Sequence, residues 1–169
     1  MPYTVKLDPH TLAMAQHTAE MRPKNIKHHK PSEDPNADLV GAIAEHAFAQ
    51  HLGIPQDSID SSGGPFGRGD GGWDFTVGAK KVKVDIKSSR KHPESWVVPA
   101  GRLKSEWYVF AYVILPDTVI FQGKAHASEL EPMGLSASVP GKRLVYLVEI
   151  NDISPEDFKK RVPRRPKAR

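Results

Sequence analysis

Between residues 36 and 52 the apolar positions Val40, Ile43, Ala44, Ala47 and Phe48 recur at steps of three and four, the spacing of one helix face turned toward a core. The pattern predicts a helix that starts near Asn36 or Asp38 and ends at Leu52, with Gly53 as its C-cap. Glu45 falls at the edge of that stripe, in line with Gly41, Phe48 and Leu52, so its carboxylate is expected to look inward past a position without a side chain. Upstream, Asp8 followed by Pro9 predicts an N-cap and a first helical residue, and Leu12, Met14, Ala15 and Ala19 support a thin-faced helix to about Met21. Beyond residue 72 the pattern shortens. Segments 73–77, 82–88, 95–98, 107–114, 118–123 and 144–150 are rich in Val, Ile, Tyr, Phe or Trp and read as strands. One helical turn is expected within 125–133, and Ser154 to Asp157, with Pro155 inside, reads as a capping box opening a last helix over 154–162. The fold class is therefore α/β, with sheet outweighing helix. A core over 36–153 is expected between an N-terminal helix and basic arm (1–35) and a C-terminal helix and basic tail (154–169).

Composition narrows the chemistry. A chain of 169 residues suffices for one domain with a core of its own. It contains no cysteine, which excludes disulfides and thiolate metal sites, and none of the eight histidines falls in an HExxH-like spacing. The first thirty residues carry no continuous apolar run, so neither a secretory signal nor a membrane span is expected there, and a cytoplasmic location fits best. The net charge of +4 is modest, but the bases gather in blocks, at 21–30, 80–83, 88–92 and 159–169. Each block alone is as well read as a solvated surface; together they favour a polyanionic partner. The stretch "GGPFGRGDGG" (63–72) holds six glycines in ten residues and reads as a loop, with no GK[ST] to make it a phosphate-binding P-loop.

The segment "GGWDFTVGAKKVKVDIKSS" (71–89) reads as a hairpin. Alternation puts Val82, Val84 and Ile86 on one face and Lys83, Asp85 and Lys87 on the other. Trp73, Phe75 and Val77 must join the valines, which sends Asp74 to the side of Asp85 and Lys87. With Gly78–Lys81 as a four-residue loop, Val77 pairs with Val82, Phe75 with Val84, Trp73 with Ile86, and Asp74 stands opposite Asp85. Like charges so placed cost roughly 0.2–1 kcal/mol. A hard divalent cation offsets that cost, because carboxylates from two strands and one helix fill part of the shell that magnesium demands. Lys87 alone would also supply the counter-charge. The plainer reading is an edge hairpin with a wet, charged face.

The joint order "GAIAEHAFAQHLG", "GGWDF", "VDIKSS" resembles the PD-(D/E)xK nucleases, the restriction-endonuclease-like superfamily, and looks closest to small phage or prophage members. The likeness covers roughly residues 38–124; Trp73 departs from the motif's nominal proline, and Asp70 is a competing acid. The resemblance implies a central mixed β-sheet flanked by helices, in the order helix, three strands, helix, strand. Where the second of those helices would stand, the segment "RKHPESWVVPAGRLKSE" offers at most a short helix and an extra strand at Trp96 to Val98. It further implies a DNA nuclease dependent on Mg²⁺ or Mn²⁺. Asp74 and Asp85 would ligate the ion, Glu45 would complete its shell directly or through water, and Lys87 would orient or help deprotonate the attacking water. Ser88, Ser89, Arg90 and Lys91 would hold flanking phosphates of the DNA. The alternative is a nucleic-acid-binding module that keeps the fold without cleaving. Trp96, Trp107 and Tyr108, at strand positions, are read as core residues rather than base-stacking ones, and His46 and His51 as surface or satisfied histidines.

Overall fold

The protein is described by a computed structural model, which covers residues 2–25, 34–56, 59, 74–90, 95–146 and 149–159. The chain runs through β1 (Tyr3–Lys6), α1 (Pro9–Asn25), α2 (Ala37–Leu52), β2 (Phe75–Val77), β3 (Val82–Ser89), β4 (Ser95–Pro99), β5 (Trp107–Ile114), β6 (Thr118–His126), α3 (Ala127–Leu130) and β7 (Lys142–Tyr146). Among the described residues five strands form one mixed sheet in the order β1-β6-β5-β3-β2, with β3 parallel to β5 and the other neighbours antiparallel. β4 and β7 pair as a separate antiparallel ribbon. The α/β class is as expected.

Local signals explain the helix ends. The Asp8 carboxylate accepts the Thr11 N–H at 2.7 Å and its carbonyl accepts the Leu12 N–H at 2.9 Å, the N-cap expected before Pro9. α2 stops at Gly53, left-handed at φ 71°, where the Ile54 N–H closes back on the Ala49 carbonyl at 2.9 Å. Three departures are informative. β1 pairs with β6, and Val5, Leu7 and Ala15 enter the core shared with α2, so residues 3–25 are built into the main body. α1 continues past Met21 to Asn25. At the other end Ser154 forms its capping bonds, its N–H donating to Asp157 Oδ2 at 2.8 Å, yet residues 155–158 make a turn rather than the expected helix, and Phe158 takes a left-handed φ of 67°. The remainder of that expected helix lies outside the described residues.

Two cores flank the sheet. On one face Val82, Val84, Ile86, Val109, Ala111 and Val113 pack against the α2 stripe of Val40, Ile43, Ala44, Ala47 and Phe48. On the other, Tyr108, Phe110 and Ala125 pack against Trp96, Val98 and Val145 of the ribbon and Leu130 of α3. Arg143 pins the ribbon: its buried guanidinium donates to the carbonyls of Pro99, Gly101, Glu131 and Met133. Trp96 and Tyr108 are core residues, as read from the strand pattern. No helix among the described residues is long and apolar enough to cross a membrane.

Candidate functional site

The β2–β3 hairpin forms in the expected register. Phe75 lies across from Val84 and Val77 from Val82, and the loop is closed by the Lys81 N–H on the Gly78 carbonyl at 3.0 Å. Gly78 and Lys81 both take positive φ, 77° and 49°, which the tight reversal requires. Asp74 stands just before β2. Its N–H donates to the Val84 carbonyl at 2.9 Å, and its Oδ2 accepts the Ile86 N–H at 2.6 Å, so the carboxylate extends the ladder by gripping the β3 backbone. The pairing of Trp73 with Ile86, and Asp70 as a competitor, lie outside the described residues.

The hairpin lies at the edge of the sheet, with β2 outermost and β3 next to it, as in the plainer reading, but its charged face is largely covered at Asp85 rather than wet. Asp85 is 7% exposed. The Lys87 ammonium lies 2.5 Å from Asp85 Oδ2 and 5.9 Å from the centre of the Tyr108 ring. Burial alone would lower the pKa of Lys87, but the Asp85 carboxylate, then Asp74 and Tyr108, outweigh it, and the net direction is upward. Lys87 is thus held as an ammonium between two acids. Tyr108, beside Asp85 across the parallel β3–β5 pair, has its phenol pKa raised, chiefly by burial.

Glu45 is buried, as its stripe position predicts, but its company was not foreseen. Arg22, in the part of α1 beyond Met21, grips it with both arms, Nη1 to Oε1 at 2.9 Å and Nη2 to Oε2 at 2.5 Å. This bidentate pair ties α1 to α2. Among the described residues no three His, Asp or Glu side chains come together as a group able to hold a metal ion, so Glu45 is not gathered with Asp74 and Asp85. Alternation gives the reason. α2 covers the face of Val84 and Ile86, and Asp85 and Lys87 stand on the opposite face.

At the C-terminal end of β3, Ser88 and Ser89 pair with Ala111 and Tyr112, and Arg90 donates from Nε to Asp34 Oδ2 at 2.8 Å. Lys91 lies outside the described residues. His46 is a satisfied core histidine: its Nδ1–H donates to Gln56 Oε1 at 2.6 Å and its Nε2 accepts the Thr18 hydroxyl at 2.9 Å, while burial above all lowers its pKa.

The donor set fits a hard divalent ion in part. Asp74, just before β2, and Asp85, on β3, offer carboxylate oxygens, and Asp85 already holds one cation, the Lys87 ammonium. Magnesium keeps several waters and is commonly held by one or two carboxylates plus substrate phosphate, so a third acid is not a requirement. Arg22 and Asp34 are the residues sequence reasoning missed. A base one helix away from an inward acid was the available signal for Arg22; nothing local marks Asp34. No family model matches the chain, no curated protein matches it, and no solved structure matches it.

Proposed function

We propose that this protein is a metal-dependent nuclease that hydrolyses DNA phosphodiester bonds, with a restriction-endonuclease-like core. One observation carries the reading: the Lys87 ammonium lies against Asp85, with Asp74 close enough to raise its pKa further, all on a face where packing requires no charge. The mixed sheet, the helix α2 ahead of the hairpin and the parallel β3–β5 pair support the core assignment. The segment between β3 and β5 carries β4 among its described residues, where that family would place a helix.

Asp74 and Asp85 would hold Mg²⁺ or Mn²⁺. Such an ion, when bound, lowers the pKa of a coordinated water and takes up charge developing on the phosphoryl oxygens. Lys87 adds a second positive charge aimed at the same oxygens, and its ammonium donates hydrogen bonds that orient the attacking water. Partial burial strengthens these interactions relative to bulk water. Ser88, Ser89 and Arg90, next along β3, hold flanking phosphates. Glu45 is assigned to the Arg22 contact, where it fixes α1 on α2.

The test is cleavage of linear and circular DNA with Mg²⁺ or Mn²⁺ by the parent, Asp74→Asn, Asp85→Asn and Lys87→Met, each first checked for a cooperative melt. Loss of products in the folded variants is expected. Equal products from all four would overturn the reading. The ammonium already seated on Asp85 also favours a binding module without chemistry. That reading predicts salt-sensitive DNA binding in EDTA, no cleavage, and indifference to Asp85→Asn.

A further inference from the structure

At the end of β3 a cavity of about 270 Å³ opens between that strand and the first turn of α2, walled by Asp34, Ala37, Val40, Ser88, Ser89 and Arg90. Asp34 sits in it as an internal anion. Its Oδ2 accepts the Arg90 Nε–H at 2.8 Å, its Oδ1 accepts the Asn36 N–H at 3.0 Å, and its carbonyl accepts the Ala37 N–H at 3.1 Å. A guanidinium, two hydroxyl-bearing residues and the opening amides of a helix are the donors that hold a phosphate. Here a carboxylate of the chain itself stands among them. The Arg90 and Asp34 side chains are 40% and 32% exposed, so the pair is open to competing anions and is individually weak. Lys87 is three residues back along the same strand with its side chain on the opposite face of the sheet, so the cavity is a contact separate from the Asp85–Lys87 pair.

We propose that this cavity takes a phosphate group of the bound DNA strand and that Asp34 is its built-in competitor: Arg90 lets go of the carboxylate when a phosphate arrives. A phosphate brings more acceptor oxygens than the carboxylate, and one carried on a DNA strand held elsewhere on the protein gains effective concentration that a free anion lacks. The DNA ligand is taken from the function proposed above. The inference itself adds that Asp34 restrains binding and does so through Arg90.

The experiment measures binding of a fluorescent oligonucleotide by anisotropy in EDTA over a salt series, for the parent, Asp34→Asn, Arg90→Ala and the double variant. Asp34→Asn is expected to tighten binding by up to about fivefold, the range an exposed ion pair commands. Arg90→Ala should weaken it and reduce the slope of log K against log salt by about 0.7 for single strands or 0.9 for duplex. In the Arg90→Ala background Asp34→Asn should gain nothing, because the competitor acts only through the guanidinium. Asp34→Ser, which keeps an acceptor for the Asn36 N–H, should tighten binding as Asp34→Asn does. Asp117→Asn, the same change of charge at the β5–β6 turn, should leave binding at the parent level. The proposal is overturned if Asp34→Asn tightens binding equally with and without Arg90, if Asp117→Asn matches it, or if both Asp34 variants fail to tighten binding. Coupling seen only with a 5′-phosphorylated oligonucleotide supports it with a terminal phosphate as occupant, and coupling seen equally with a 5′-hydroxyl one supports it with an internal phosphodiester. Cleavage plays no part in this readout: a protein that shows the coupling but never cuts keeps the cavity's assignment and loses the hydrolytic one.

Discussion

Lys87→Met removes the ammonium from Asp85 while keeping most of the aliphatic stem, so it isolates the charge at the centre of the site. Deleting one partner of a fully buried ion pair costs roughly 3–5 kcal/mol, whereas an exposed pair commands at most about 1 kcal/mol. Here the Asp85 side chain is 10% exposed and that of Lys87 27%, which places the pair between those limits. An expected loss of about 2 kcal/mol follows. A divalent ion should return much of it: occupancy at a hundredfold excess over the dissociation constant stabilises by about 2.7 kcal/mol. In the parent the gain should be smaller, because the ion meets an ammonium already on Asp85 Oδ2. Urea unfolding followed by the fluorescence of the buried Trp96 and the partly buried Trp107, in EDTA and then in saturating Mg²⁺, measures both quantities. Equal midpoints for parent and variant in EDTA would refute the electrostatic account of Asp85. A Mg²⁺ gain no larger in the variant than in the parent would refute a cation site at Asp74 and Asp85.

Gly41→Ala should stabilise the protein by about 0.5–1 kcal/mol in thermal or urea unfolding, since a Cβ there meets nothing within 4 Å and the residue lies inside α2. Gly123→Ala should do the opposite, costing roughly 1–3 kcal/mol, because its Cβ would lie 2.6 Å from Ile150 Cδ1 and 2.7 Å from the Asn151 carbonyl oxygen. Asp8 and Glu129 have folded-state pKa values below their ordinary 3.8 and 4.5, owing first to the Thr11 and His126 N–H groups respectively. Their contribution is fully present above the ordinary values and is lost as pH falls through the lowered ones, so the melting temperature should drop below about pH 4.5. Asp8→Asn and Glu129→Gln should each flatten that drop; an unchanged pH profile in both variants would refute the assignment.

The elements set by local chemistry were legible in the sequence. Asp8-Pro9 and Gly53 announce helix ends because the groups they satisfy lie within a turn, and the hairpin register follows from parity alone once the loop length is chosen. What failed was non-local. β1 spans four residues, and its partner β6 lies more than a hundred positions along the chain, Tyr3 facing Phe121; Tyr3 and Val5 alternate with polar residues, but so short a run gives no signal of its own. The continuation of α1 past Met21 brings Arg22 to Glu45, a contact across 23 positions that a reading of the chain beyond Met21 as a basic arm could not anticipate. At Ser154 the reverse held. The local capping bonds formed, and the left-handed Phe158, packed in the core against Phe48, ended the turn before a helix developed.

The same distinction accounts for the site. Parity showed that Asp74, Asp85 and Lys87 share a side of the hairpin, but not that this side would be shielded. The shield comes from residues that follow: the β4–β7 ribbon places Trp96, Val98 and Val145 over Tyr108 and Phe110, the β5 neighbours of Asp85 and Lys87. The cover grades off toward the charges, so Asp85 is nearly closed while Lys87 keeps about a quarter of its surface. The hydrolytic chemistry proposed above would be better served by that margin than by either extreme. Full burial would demand that the pair neutralise itself, and full exposure would leave its charges screened by water. A carboxylate strong enough to hold a cation, beside an ammonium still reachable from solvent, requires a strand that is interior to its sheet but at the rim of its covering layer, and β3 is such a strand.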